Sequence, residues 1–263
     1  MKVIVIIPAA GLGTRMASAG AKRVQVGTSK QFTELCGTPI LIHTLRKFCG
    51  SPGVSEIYIA LRKNEIGPFR ARLAKECSEG TKKMIQLVEG GEHRQSSVAN
   101  ALAAVSAESD DIVLVHDAVR PFVTEQIIGD VIHAAQKHGA AIAAMPAVDT
   151  VKQVDRTADG AIVSATMPRE RLVMAQTPQG FRYDVLKRAF DEADADGFLG
   201  TDEASLVERS GHEVAVVMGS PKNIKITNPS DLELAEFYLR SELQIANEND
   251  QGRLFKSTTG LKR

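Results

Sequence analysis

The chain lacks the features that mark several common classes of protein. It has no net charge, with 32 Lys and Arg against 32 Asp and Glu in 263 residues. That balance excludes the broad basic surface used for bulk binding to nucleic acid or acidic membrane, although it leaves local clusters open. Cysteine is scarce and odd in number, at positions 36, 49 and 77. Three scattered thiols fit a reducing, cytoplasmic setting and exclude a disulfide framework or a zinc site. Long apolar runs are missing too. Residues 3–7, after Lys2, are too few for the core of a secretory signal, and no stretch approaches the roughly 18 apolar residues of a membrane-spanning helix. Also absent are Gly-x-Ser-x-Gly, His-Glu-x-x-His and any cysteine in a catalytic context. With 43% apolar and 24% charged residues, the sequence is nonetheless that of a folded chain, long enough for one large or two small domains.

What is present alternates. Short β-branched runs at residues 2–8, 54–60, 84–88, 111–115, 140–145 and 213–218 predict strands, several of them apolar on both faces. Helical patterns lie near 38–49, 64–78, 95–106, 124–138, 183–192, 201–210 and 229–246. The first is expected to be capped by Thr38 with Pro39 at its first position, and the last to open on Pro229-Ser230-Asp231. The pattern predicts an α/β fold of three layers around a mostly parallel sheet, forming a single domain over residues 1–246. From about Asn247 periodicity fades and polar residues dominate, so residues 247–263 are expected to be a disordered extension. Residues 149–178 break the rhythm. They carry two alternating segments about Asp159-Gly160, the signature of a β-hairpin with little apolar surface. Such an arm packs either on a second subunit or on its own domain, since an isolated hairpin is marginal in water.

Three loops could carry chemistry. Strand 2–8 runs into Pro8-Ala9-Ala10-Gly11-Leu12-Gly13-Thr14-Arg15. Small residues there let backbone amides approach a phosphate chain, or simply make a tight turn. A dinucleotide fingerprint fails because position 16 is methionine, and no Gly-Lys-Ser/Thr phosphate loop exists. Arg15 and Lys30 favour a triphosphate. The second loop, His116-Asp117-Ala118-Val119-Arg120, follows strand 111–115 and so faces the same crevice. Asp117 is either a Mg²⁺ anchor or a partner of Arg120, and His116 reads as a packed, hydrogen-bonded residue. In the third, Gly90-Gly91 leads to Ser96 and Ser97 near a helix start, where hydroxyls bind a ligand or cap the helix. Thr201-Asp202-Glu203-Ala204-Ser205 reads as a capped helix start, and Lys225 as a residue on an alternating strand.

A chain with cations but no obvious nucleophile or base suits nucleotidyl transfer to a phosphate monoester. Such an acceptor has a second pKa of about 6 and needs no deprotonation. The barrier is repulsion between an attacking anion and a polyanion, roughly 4 kcal/mol per unit pair at about 4 Å and an effective dielectric of 20. Fixed cations and Mg²⁺ are what lower it.

Taken in order, Pro8-Ala-Ala-Gly-x-Gly-x-Arg15-Met16, Ser29-Lys30-Gln31, Gly90-Gly91-x-x-Arg94, Val115-His-Asp-Ala-x-Arg-Pro121, Asp149-Thr150-x-Lys152, Thr177-Pro-Gln179, Thr201-Asp-Glu-Ala-Ser205 and Asn223-Ile-Lys225-x-Thr227 resemble the 2-C-methyl-D-erythritol 4-phosphate cytidylyltransferases. The resemblance spans about residues 3–240. It implies a Rossmann-like nucleotidyltransferase fold and transfer of CMP from CTP to methylerythritol phosphate, with Mg²⁺, in non-mevalonate isoprenoid synthesis. It further implies that Arg15 and Lys30 stabilise the transition state, and that Ala9, Ala10, Gly11 and Gly13 line the nucleotide. Gly91 and Ser97 would sit near cytosine and ribose, Asp117 near the metal and ribose, and Ala118 in the same nucleotide-binding set. Thr150, Arg169 and Lys225 would hold the acceptor phosphate, with the arm exchanged across a homodimer. Ser29 stands where proline commonly precedes the lysine, residues 17–29 make a longer segment than usual, and Met167-Pro168 precede Arg169. The rivals are a ribitol 5-phosphate cytidylyltransferase and a non-catalytic nucleotide-binding module.

Overall fold

The computed structural model of the chain describes residues 1–11, 29–76 and 84–258. In chain order its strands are β1 (Val3–Pro8), β2 (Glu34–Leu35), β3 (Thr38–Pro39), β4 (Glu56–Leu61), β5 (Met84–Glu89), β6 (Ile112–Val115), β7 (Ala140–Pro146), β8 (Lys152–Thr157), β9 (Gly160–Thr166), β10 (Val173–Arg182) and β11 (Ala215–Met218). Its helices are α1 (Ile40–Gly50), α2 (Lys63–Glu76), α3 (Arg94–Ala104), α4 (Glu125–His138), α5 (Tyr183–Ala195), α6 (Glu203–Arg209) and α7 (Pro229–Thr258).

Seven strands form one sheet in the order β11-β7-β10-β6-β1-β4-β5. All neighbouring pairs are parallel except those of β10, which runs antiparallel to both β6 and β7. The unbroken apolar run of β1 is explained by its central place. Val3, Val5 and Ile7 enter the core under α1, α2 and α4, while Ile4 and Ile6 enter the opposite core under α3, α5 and α6. A strand covered by helices on both faces has no polar face to show. The expected three-layer α/β fold is therefore present.

Four local expectations differ. Thr38 and Pro39 pair with Glu34–Leu35 as a two-stranded ladder, so α1 begins at Ile40 and Pro39 is its cap residue. Residues 173–178, expected to belong to the arm, open β10 instead. A register shift between Ala175 and Gln179 absorbs Pro178, whose missing amide would otherwise interrupt the ladder. Lys225 lies on an irregular segment rather than a strand. Finally, α7 continues to Thr258. Once a helix is nucleated each added residue contributes a backbone bond, which is why polar composition alone does not end it at Asn247. The arm itself is the β8–β9 hairpin, with every residue of both strands exposed.

Candidate active site

The carboxyl ends of β1, β5 and β6 open on one cleft. Its wall includes Ala9, Ala10, Gly11, Lys30, Gly91, Ser97, Asp117, Ala118 and Lys225, so nine residues chosen from sequence converge there. Gly13 and Arg15 lie outside the described residues. Thr150 and Arg169 do not line this cleft: both are exposed at the arm, where Arg169 Nη1 donates to the Val148 carbonyl at 2.8 Å.

Close backbone approach shapes the nucleotide side. A Cβ on Gly90 would stand 2.5 Å from that of Ala10, and one on Gly91 would stand 2.5 Å from Ser96. Larger residues at either position would push the β5 turn off the β1 turn. The two serines divide the labour at the start of α3. Ser96 Oγ accepts the His93 amide at 2.9 Å, whereas Ser97 Oγ accepts the Gly91 amide at 3.1 Å and donates to the His93 carbonyl at 3.0 Å. Lys30 is held by its neighbours in sequence. Ser29 donates to Glu65 Oε1 at 2.6 Å, and the Gln31 amide donates to the Ala9 carbonyl, both from buried positions. Ser29 thus ties the lysine turn to α2.

At the centre sits Asp117, and three cations converge on it. Arg94 Nε donates to Oδ1 at 3.2 Å, Lys225 Nζ lies 2.9 Å from Oδ2, and Arg120 Nε donates to Oδ2 at 3.3 Å. Burial alone would raise the Asp117 pKa, but Arg94, Lys225 and Arg120 outweigh it and hold the carboxyl well below the usual range. Arg94 also binds Glu203, its Nη1 donating to both carboxylate oxygens at 2.7 and 2.8 Å. Burial tends to lower the Arg94 pKa, yet Glu203 and Asp117 raise it above the ordinary arginine value. Burial pushes the Glu203 carboxyl up, with Arg94 opposing. Asp117 is therefore the partner of Arg120, as one reading held, and of two further cations. Both its oxygens are engaged by these cations, so in this arrangement Asp117 offers no open position to a resident Mg²⁺.

Sequence reasoning gave Glu203 no role beyond the helix start. Asp202 and Ser205 do form the expected capping box. The usable signal for Glu203 was position: it shares a short helix with the buried Ala204, Leu206 and Val207. A carboxylate in such company needs a partner.

His116 is fully buried and fixes the loop. Its Nε2 meets the Arg120 carbonyl at 3.0 Å, and because a carbonyl only accepts, this nitrogen carries the hydrogen. Its Nδ1 then accepts from the Thr177 hydroxyl at 3.2 Å, while that same oxygen accepts the Asp117 amide at 3.0 Å. Burial lowers the His116 pKa to about 4, only partly opposed by the Arg120 carbonyl and Asp117. A depressed histidine pKa stabilises the fold fully above the unfolded value near 6.5 and loses that contribution as pH falls towards 4. The loss is expected to reach about 3 kcal/mol across that window at about 1.4 kcal/mol per pH unit. Urea unfolding of the wild type and His116→Gln between pH 4 and 8 checks it: the variant's curve should be flatter by that amount, and parallel curves would contradict the assignment.

The whole chain can be set beside known proteins. The family model described as IspD, 2-C-methyl-D-erythritol 4-phosphate cytidylyltransferase, matches residues 3–241. The chain is 58% identical over 240 residues to the 2-C-methyl-D-erythritol 4-phosphate cytidylyltransferase of Acidobacterium capsulatum, covering 91% of this chain and 98% of that one. It is 54% identical over 243 residues to that of Solibacter usitatus, covering 92% and 97%. Among solved structures it resembles the Francisella tularensis enzyme of the same name, with a TM-score of 0.72 at 36% identity over 90% of this chain and 99% of that one. It also resembles the 4-diphosphocytidyl-2C-methyl-D-erythritol synthase of Anaerococcus prevotii, with a TM-score of 0.75 at 31% identity, covering 91% and 98%.

Proposed function

The chain belongs to the 2-C-methyl-D-erythritol 4-phosphate cytidylyltransferase family, and from that membership we propose how its cleft performs the transfer. CTP and methylerythritol phosphate give the CDP-alcohol and pyrophosphate, a step of isoprenoid precursor synthesis. An oxygen of the acceptor phosphate forms the new bond to the α-phosphorus of CTP as the bond to the β-phosphate oxygen breaks. The nucleotide lies along Ala9, Ala10, Gly11 and Gly13, with Gly91, Ser97 and Ala118 at its base and sugar. Arg15 and Lys30 meet the charge that grows on the phosphates in the transition state. Lys225 turns from Asp117 to the acceptor phosphate, which Thr150 and Arg169 approach from the arm of a partner subunit.

The observation that carries this reading is the gathering of Lys30, Arg94 and Lys225 around one crevice at the carboxyl ends of parallel strands, on a protein with no net charge. Arm exchange is supported by Val154, Ile162 and Val163, apolar residues left exposed on a hairpin that no element among the described residues covers. Mg²⁺ belongs to the reading as a companion of the CTP phosphates, where it offsets their charge, and not as an ion held by the protein's own ligand set. A cytoplasmic location completes it; no described helix is long and apolar enough to cross a membrane.

Pyrophosphate release measured with CTP and either acceptor tests the assignment. Methylerythritol phosphate is expected to be the preferred acceptor, with activity lost on chelating Mg²⁺. Preference for ribitol 5-phosphate would overturn the acceptor, and nucleotide binding without pyrophosphate release would overturn catalysis.

A further inference from the structure

Arg94, Asp117 and Lys225 line two clefts at once. One is the nucleotide cleft, and the other is bounded by Arg120, Thr177 and Thr201. These three side chains form the wall between them, and the wall is anchored from behind. Glu203, the first residue of α6, is only 1% exposed and lines neither cleft. It meets the wall at Arg94, through the paired contacts at 2.7 and 2.8 Å.

We propose that Glu203 is a positioning residue for cytidylyl transfer, acting through Arg94 to hold the dividing wall in its working arrangement. The reason lies in the count of charges. Arg94, Arg120 and Lys225 share two anions, Asp117 and Glu203. With Glu203 taking Nη1 of Arg94, only Nε of that side chain bonds Asp117, through Oδ1, and Oδ2 stays with Lys225 and Arg120. Without it, Arg94 keeps only the single Nε bond to Asp117, and its guanidinium is free to turn away from the wall. Asp117, which Arg94 shares with Lys225 and Arg120, loses its fixed partner on Oδ1, and the wall facing both substrates loosens. Helix capping does not account for Glu203, because Asp202 and Ser205 already satisfy the start of α6. Nor does packing, since a buried carboxylate is costly among apolar neighbours unless a cation meets it.

The inference rests on the transfer reaction proposed above, and the wild type separates the two: a wild-type protein releasing no pyrophosphate speaks against the reaction, not against Glu203. Two variants of the full chain test the residue. Glu203→Gln keeps the reach and removes the charge; Glu203→Asp keeps the charge, and with it the fold, but withdraws the anchor by one methylene. Each is expected to lower kcat by about 10- to 100-fold per folded protein at saturating CTP and acceptor, as misplacement by about 1 Å does elsewhere. In an Arg94→Ala background the same changes should cost less than about threefold, because their route is gone. A folded Glu203→Asp protein with a loss below about tenfold overturns the proposal. So do losses that multiply with that of Arg94→Ala, since independent losses mean that Glu203 does not act through Arg94.

Discussion

Replacing Lys30 with alanine is expected to lower kcat by about 10²- to 10³-fold, the usual cost of deleting one preorganised group that meets transition-state charge. The KM for CTP should rise by much less than the fall in kcat. The structure makes this a clean experiment. Lys30 sits half-exposed on the cleft wall between two buried residues, Ser29 and Gln31, which tie the turn to α2 and to the end of β1. Those anchors do not involve the lysine side chain, so both remain when the ammonium is removed. Steady-state kinetics with CTP varied at saturating acceptor check the split. Equal losses in kcat and in CTP affinity would mean that Lys30 binds ground state and transition state alike.

Mixing two inactive proteins should restore activity. If the arm of one subunit completes the site of the other, Lys30→Ala damages the cleft of its own protomer and Arg169→Ala damages the partner's. A mixed dimer then has one site carrying both changes and one carrying neither. Random reassortment of equal amounts makes half of the dimers mixed, so about a quarter of wild-type activity is expected from the symmetry of a two-fold interface. Verified subunit exchange without recovery would count against a shared site. The geometry that motivates the test is the distance of the arm from its own cleft: Thr150 and Arg169 line neither the nucleotide cleft nor the one beside it.

Much of the fold was legible because burial leaves plain marks. The run Val3–Pro8, apolar on both faces, could only be a covered strand, and the apolar periodicity of α4 with Gly139 in a left-handed conformation at its end fits helix and stop alike. β10 was not legible. Its sequence neither alternates nor runs apolar, and Pro178 and Gly180 argue locally for a loop. Only the tertiary setting reveals why they are tolerated. Gly180 faces Val131 and Leu114 so closely that a Cβ would come within 2.7 and 2.9 Å of them. The site was read in the same uneven way. Small residues and cations after strand ends pointed to the cleft, whereas the Arg94–Glu203 pair joins residues 109 positions apart and leaves no periodic trace. Pairing across such separations is a property of the fold and not of either segment.

The chain leaves the sheet at Pro146 and re-enters it at Val173, which are register partners on neighbouring antiparallel strands. The two ends of the intervening arm therefore stand only about 5 Å apart. A segment entered and left through so narrow a door can lengthen, shorten or change its contacts without shifting any strand behind it. Variation in the arm away from Thr150 and Arg169 is thus insulated from the sheet that carries the cleft. If the proposed arm exchange holds, two lineages could diverge in how their subunits recognise each other while keeping Thr150 and Arg169, and an arm transplanted between relatives at these two residues would carry its partner preference with it.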